Sequence, residues 1–214
     1  MNSITASKPQ EHLRKQEEIK DFFYQAGLFT IPQFFNSELC RRLRDEACQS
    51  LSSLTQQVIS RDEQPEVNST IDRIDEKQIS SDLWETFLKH LATVKSQLEL
   101  YFQTELSEMK TPNFGRFNQG YFLNWHVDVV DKIPATKDFK ITILVYLNGQ
   151  DEKSNSEGFL GGELEILVPQ EEYKNHCLQI SPQTGLLVAF DSHTPHQVQP
   201  IVKGSRYVIA TCWK

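Results

Sequence analysis

Three histidines and their neighbours could carry chemistry in this sequence. "NWHVDVV" sets His126 two residues before Asp128, and "FDSHTPHQVQP" holds His193 and His196. Residues two apart in an extended chain point to one face, so this imidazole and carboxylate could converge on one ion. The second stretch offers two candidates. On a helix, histidines three apart would share a face, but Pro195 between them lacks an N–H and its ring clashes with the preceding turn. Thr194, before the proline, is pushed toward extended geometry. In an extended chain His193 and His196 face opposite ways, so they are not expected to hold the same ion. His196 shares parity with Val198 and Pro200, which favours an inward direction. An interior histidine can equally be a hydrogen-bonded core residue.

Arg206, in "GSRYVIATCW", is the next candidate. It shares parity with Val208, Ala210 and Cys212. If that face is buried, the guanidinium needs an anion, because an unpaired buried charge is costly. The alternative is a strand-end arginine reaching solvent. His126, Asp128 and His196 together make two imidazoles and one carboxylate, a set that holds non-haem iron(II) and leaves coordination positions open. Arg206 adds a planar fork for a carboxylate. A dicarboxylate that chelates iron at one end and meets Arg206 at the other fits the set.

Elements must bring these residues together, and the pattern of the chain changes near residue 110. Residues 11–110 are expected to be mainly helical, after a flexible stretch over 1–10. "EHLRKQEEIKDFFYQAG" spaces Leu13, Ile19, Phe22 and Phe23 as on a helix that stops at Gly27. "NSELCRRLRDEACQSLSSL" has Asn36 or Ser37 as its cap and Leu39, Leu43, Ala47, Leu51 and Leu54 as its stripe. "SSDLWETFLKHLATVKSQLELYFQTEL" is the strongest helix, capped by Ser80 or Ser81 and lined by Leu83, Phe87, Leu91, Val94, Leu98 and Tyr101. The polar stretch between the last two is expected to be a loop with a short extended piece around Ile71–Ile74.

From residue 111 to 214 the pattern becomes about eight short strands with turn signals between them. "GYFLNWHVDVV" is one; Tyr121, Leu123 and Trp125 should share the face opposite His126. "DFKITILVYLN", "GELEILVP", "HCLQI", "GLLVAFD", "HQVQPIV" and "SRYVIATCW" follow, with Gly161-Gly162 as a turn. The spacing suggests a jelly-roll or cupin-like sandwich or barrel. The fold class is α+β, in one domain over 11–214.

Composition excludes several roles. The chain has 214 residues, a net charge of -7 and no Lys/Arg block, which argues against nucleic acid as a partner. Its apolar runs are too short to span a bilayer, so no membrane partner is expected. Cys40, Cys48, Cys177 and Cys212 form no C-x-x-C pair and read as reduced thiols of a cytoplasmic protein. The oligomeric state is not encoded in any pattern found.

In order and spacing, residues 113–213 resemble the iron(II)/2-oxoglutarate dioxygenases of the prolyl-hydroxylase-like group. The resemblance rests on His126-Val-Asp128, "ILVYLN", "GGELEI" and "FDSHTPHQVQPIVKGSRY", with Arg206 ten residues after His196. It implies a double-stranded β-helix core with the N-terminal helices packed in support. It implies Fe(II) on His126, Asp128 and His196, and 2-oxoglutarate bound by Arg206 and Tyr146. O2 would be the oxidant and ascorbate would support turnover. The "RID" of Arg73 and Asp75 resembles a strand that flanks the substrate entrance in some members. Phe117 stands where many members have tyrosine, and "LNW" lacks a further tyrosine; Asn124 or Asn113 could supply the missing polar contact. The implied activity is hydroxylation of an unactivated C–H, of a prolyl or other residue in a protein or peptide. A free amino acid or other small metabolite is the alternative substrate, and a non-catalytic cupin-like binding or sensor module is the alternative of another class.

Overall fold

The strand β6 (Ile141–Tyr146) has the sequence I-T-I-L-V-Y, and all six residues are buried. A strand alternates its side chains between two faces, so both faces of β6 must be covered. In the computed structural model, which describes residues 26–49, 55–59, 69–74, 77, 79–130, 132–150, 158–168 and 177–214, β6 lies inside a seven-stranded antiparallel sheet. That sheet contains β1 (Leu28–Ile31), β2 (Thr55–Ile59), β3 (Ser69–Ile74), β4 (Asn113–Asn118), β10 (Leu187–Asp191) and β13 (Ser205–Trp213), in the order β1-β10-β6-β13-β4-β3-β2. A second sheet runs β5-β11-β8-β9, from β5 (Leu123–His126), β8 (Leu164–Leu167), β9 (Cys177–Ile180) and β11 (His196–Val198). The short β7 (Leu160–Gly161) pairs with β12 (Ile201–Lys203).

The outer face of the large sheet carries the helices α1 (Ser37–Gln49), α2 (Ser81–Ala92) and α3 (Lys95–Phe102). Ile141, Ile143 and Val145 of β6 join Leu187, Ala189 and Ile209 in one cluster with Leu43, Phe87, Leu91 and Leu98 of the helices. Phe87 stacks on Phe35 at 4.9 Å and on Trp84 at 5.2 Å. Burying a side chain of this size stabilises by about 1.5–3 kcal/mol. The alternate residues of β6, Thr142 and Leu144, line a cavity that lies between the two sheets. The architecture is α+β with a double-stranded β-helix core, as expected.

The helices follow their sequence signals with two departures. Asn36 caps α1, its Oδ1 accepting the Leu39 N–H at 2.8 Å. Ser80 precedes α2 without capping it; its hydroxyl donates instead to Glu46 Oε1 at 3.1 Å and ties α2 to α1. The single helix expected over 80–106 is two. At Thr93 the hydroxyl donates to the His90 carbonyl at 2.7 Å, and the backbone N–H bonds to the His90 and Leu91 carbonyls. This local competition for carbonyls ends α2, and α3 starts two residues later. Of the helix expected over 11–27, residues 11–25 lie outside the described residues, as do Leu51, Leu54 and the stretch 1–10.

Among the described residues, three strands come from the N-terminal half. The extended piece around Ile71–Ile74 is part of β3, which with β2 extends the large sheet beyond β4. β1 covers the opposite edge through β10. The expected strand "HQVQPIV" is split at Pro200 into β11 and β12, which pair with different partners. Proline lacks the N–H that a continuous ladder would use.

Candidate metal centre and anion pocket

β5 and β11 are antiparallel neighbours, and His126 and His196 stand directly across from each other. Their rings are 4.1 Å apart at 51°. The register then slips, because Leu123, three residues before His126, faces Val198, two residues after His196. An extra residue on one strand is a β-bulge, and it resets the alternation of side chains. This corrects the sequence expectation: Leu123 lines the cavity together with His126, while Trp125 is 40% exposed.

Asp128 lies two residues beyond the end of β5, so strand parity does not aim it. Its backbone N–H and that of Val129 donate to the Ser192 carbonyl at 3.0 and 3.3 Å. Ser192 follows β10, and its own N–H donates to the Lys140 carbonyl at 2.8 Å, just before β6. The Asp128 carboxylate then sits with Oδ1 3.7 Å from His126 Nε2 and Oδ2 3.8 Å from His196 Nε2. Both gaps exceed hydrogen-bond length. The ligand atoms of the three residues lie within 4.8 Å of one another, a cluster that could hold a metal ion.

The backbone sets the tautomers. His126 Nδ1 is 2.7 Å from the Asn124 carbonyl, and His196 Nδ1 is 3.0 Å from the Thr194 carbonyl. A carbonyl only accepts, so each Nδ1 carries a proton, and Nε2 is the atom of each ring left to face Asp128 and a metal ion. Neutral imidazoles beside a carboxylate are donors for a divalent ion.

Thr142 was not singled out from sequence. Its hydroxyl donates to Asp128 Oδ2 at 2.6 Å and lies 3.0 Å from Ser192 Oγ and 3.6 Å from Cys212 Sγ. The signal available was a small hydroxyl residue inside the apolar run I-T-I-L-V. Burial, with the Asp128 charge adding to it, pushes the Cys212 thiol up to about 11, so it stays protonated. His193 sits in the turn after β10, 67% exposed, with its Nδ1 3.0 Å from Asp191 Oδ1. It is not part of the cluster.

The cavity, about 260 Å3, is lined by the three cluster residues and by Arg206, Val208, Ala210 and Cys212, the alternate positions of β13. Arg206 is 1% exposed, and its guanidinium carbon is 5.0 Å from the Phe117 ring and 5.1 Å from the Tyr146 ring. Such faces stabilise a cation but use none of its N–H groups. Arg206 Nε and Nη1 and the Tyr146 hydroxyl are buried with no hydrogen-bond partner among the described residues. Burial lowers the guanidinium's pKa and raises the phenol's. Unpaired donors of this kind are rare in a folded interior, and a carboxylate would satisfy them. Gly162, at φ 70°, lets Ile201 pack closely beside Arg206; a Cβ there would run into Ile201 and lie 3.4 Å from Arg206 Cδ.

Of the other sequence candidates, Arg73 and Asn113 line the same cavity. Asn124 is absent from its lining, and what it contributes is the backbone carbonyl under His126. Asp75 lies outside the described residues. The four cysteines are free, with Cys40 and Cys212 buried. No helix among the described residues is long and apolar enough to cross a membrane.

Residues 112–214 match the model of the 2OG-Fe(II) oxygenase superfamily. No curated protein matches the chain. Among solved structures, a prolyl-4-hydroxylase from Pseudomonas putida superposes with a TM-score of 0.67 at 18% identity, over 92% of this chain and 97% of that one. A prolyl hydroxylase from Trichoplax adhaerens, in complex with a hypoxia inducible factor peptide fragment, gives 0.63 at 21%, over 98% and 94%. A viral collagen prolyl hydroxylase from Paramecium Bursaria Chlorella virus-1, in complex with 2OG, gives 0.59 at 18%, over 87% and 94%. These likenesses establish the prolyl-hydroxylase type of fold. With the family match over the β-helix core and a His-Asp-His cluster that could hold iron, residues 112–214 are a 2OG-Fe(II) oxygenase domain, and the chain is a 2-oxoglutarate-dependent dioxygenase.

Proposed function

We propose that His126, Asp128 and His196 hold Fe(II), that Arg206 and Tyr146 receive the far carboxylate of 2-oxoglutarate, and that the enzyme hydroxylates a prolyl or other residue in a protein or peptide. One observation carries the reading. A two-histidine, one-carboxylate cluster shares a cavity with Arg206, whose buried donors have no partner among the described residues.

Fe(II) and 2-oxoglutarate supply the chemistry when bound: O2 gives one oxygen atom to the C–H and the other to succinate, and CO2 leaves. The chain's residues prepare that step. Two neutral imidazoles and one carboxylate leave a divalent ion with net positive charge, which suits an anionic cosubstrate. The Nδ1–H bonds to the Asn124 and Thr194 carbonyls fix both rings. Thr142 holds Asp128 Oδ2. Arg206 offers a charge-assisted fork at the far end. Leu123, Leu144, Leu164, Val198 and Val208 give the cavity apolar walls that keep water out.

A structural neighbour that holds a peptide fragment supports the peptide reading. A free amino acid or other small metabolite is the second reading, favoured by Arg73 in the cavity, whose buried Nε has no hydrogen-bond partner among the described residues. The four free cysteines support a reducing compartment such as the cytoplasm. The test is incubation with Fe(II), 2-oxoglutarate and ascorbate against a peptide library and a metabolite panel. Succinate release matched by gain of one oxygen atom in a peptide supports the reading. Stimulation by metabolites alone replaces the peptide substrate, and no succinate with any partner favours a non-catalytic binding module.

A further inference from the structure

Two arginines on neighbouring strands are treated differently. β3 and β4 pair with Asp72 opposite Arg116 and with Arg73 opposite Gly115. Arg116 has its carboxylate: its Nη2 and Nε lie 2.8 and 3.0 Å from Asp72 Oδ2, and Asn118 Nδ2 donates to the same oxygen at 2.7 Å. Arg73, one residue after Asp72, lines the cavity. Its Nε is buried with no hydrogen-bond partner, and no carboxylate pairs with it among the described residues. Burial lowers its pKa. A half-buried guanidinium kept without a counterion is costly to the fold.

The other lining residues sharpen the imbalance. Arg73, Lys110 and Arg206 bring positive charge, and Asp128 is the one carboxylate among the lining residues. Asp128 faces the two histidines. Gly115 puts no side chain beside Arg73 on β4; a Cβ there would come 2.6 Å from Ile71 Cδ1. Ile71 fills the space over Gly115, so no β4 side chain stands opposite Arg73. With Arg206 assigned to 2-oxoglutarate, one guanidinium in the cavity still lacks an anion among the described residues.

We propose that Arg73 binds a carboxylate of the substrate, so that the molecule oxidised is an acid. This rests on the oxygenase reading above. A guanidinium fork matches a carboxylate with two parallel hydrogen bonds. The acid can come from a small metabolite or from an acidic peptide, and the chemistry at Arg73 is the same.

The test compares the wild type with Arg73→Gln, both loaded with Mn(II) in place of iron and saturated with 2-oxoglutarate. Calorimetry first measures Mn(II) and 2-oxoglutarate binding, which should be equal in the two proteins. Matched probes are then titrated: N-acetylproline against N-acetylprolinamide, and a glutamate-flanked prolyl peptide against its glutamine counterpart. In the wild type one acid is expected to bind about ten-fold tighter than its neutral match or better, and Arg73→Gln should erase most of that difference. Preference in the first pair identifies a small acid, and preference in the second an acidic peptide. Equal binding of acid and neutral probes in the wild type, or a preference that survives in Arg73→Gln, overturns the proposal. If the Mn(II) and 2-oxoglutarate complex fails to form, the oxygenase reading falls and takes this inference with it. A substrate-independent arm is the melting temperature: Arg73→Gln should melt no lower than the wild type, and a clear fall would reveal a structural partner and overturn the proposal.

Discussion

The Thr142 hydroxyl lies 2.6 Å from Asp128 Oδ2 and must be the donor, because an ionised carboxylate only accepts. Its one proton is thereby committed, so the contact at 3.0 Å with Ser192 Oγ runs the other way, from serine to threonine. The result is a directed chain, Ser192 to Thr142 to Asp128, that fixes the carboxylate's rotation.

Thr142→Val keeps the shape of the side chain and removes the donor. The expected result is a loss of about ten-fold to a hundred-fold in Mn(II) affinity, with Thr142→Ser close to the wild type. Mn(II) titration followed by electron paramagnetic resonance checks this. Equal affinity in Thr142→Val would mean that the ligand holds its pose without the hydroxyl.

Arg206 and Tyr146 should separate by size of effect. Arg206→Gln removes the charge and is expected to raise the 2-oxoglutarate KM by about a hundred-fold or more. Tyr146→Phe removes one neutral donor and should raise it by about ten-fold. Metal affinity should be unchanged in both. Initial rates of succinate formation at varied 2-oxoglutarate give the comparison.

Alkaline stability should depend on Cys40. The thiol is buried between α1 and the sheet, and burial pushes its pKa up to about 11 from an ordinary value near 9. Below pH 9 the thiol is neutral whether the chain is folded or not. Between about pH 9 and pH 11 the unfolded chain gives up its proton and the folded one keeps it, so stability falls as pH rises. A shift of this size corresponds to about 2–3 kcal/mol. Thermal melts of the wild type should decline over that window, and Cys40→Ala should decline less steeply from its own lower starting point.

The residues of the site were more legible in the sequence than their geometry. Pro195 forbade a helical His193/His196 pair, and His193 and His196 indeed take different surroundings, one exposed and one buried. The parity of Arg206 with Val208, Ala210 and Cys212 held because β13 runs nine residues without a break. Parity failed on β5, which is only four residues long and bulged, so Leu123 joined His126 on the cavity side. Asp128 owes its place to the Ser192 carbonyl, a contact 64 residues away in sequence. Local spacing carries no signal for such a contact.

The same limit applied to the N-terminal half. The apolar stripes of α1 and α2 were readable because helical periodicity is local. β1 was not, since four residues of "LFTI" become a strand only by pairing with β10. The break at Thr93 turned on one hydroxyl that competes for the His90 carbonyl, in a stretch whose apolar spacing runs on unbroken.

The central claim is that His126, Asp128 and His196 form one metal site, and metal stoichiometry tests it most directly. Anaerobic titration with Fe(II), or with Mn(II) as a stable substitute, should find one ion per chain in the wild type and in His193→Ala. It should find none at comparable concentration in His126→Ala or His196→Ala, with all four proteins melting cooperatively. An ion retained by His196→Ala and lost from His193→Ala would contradict the account.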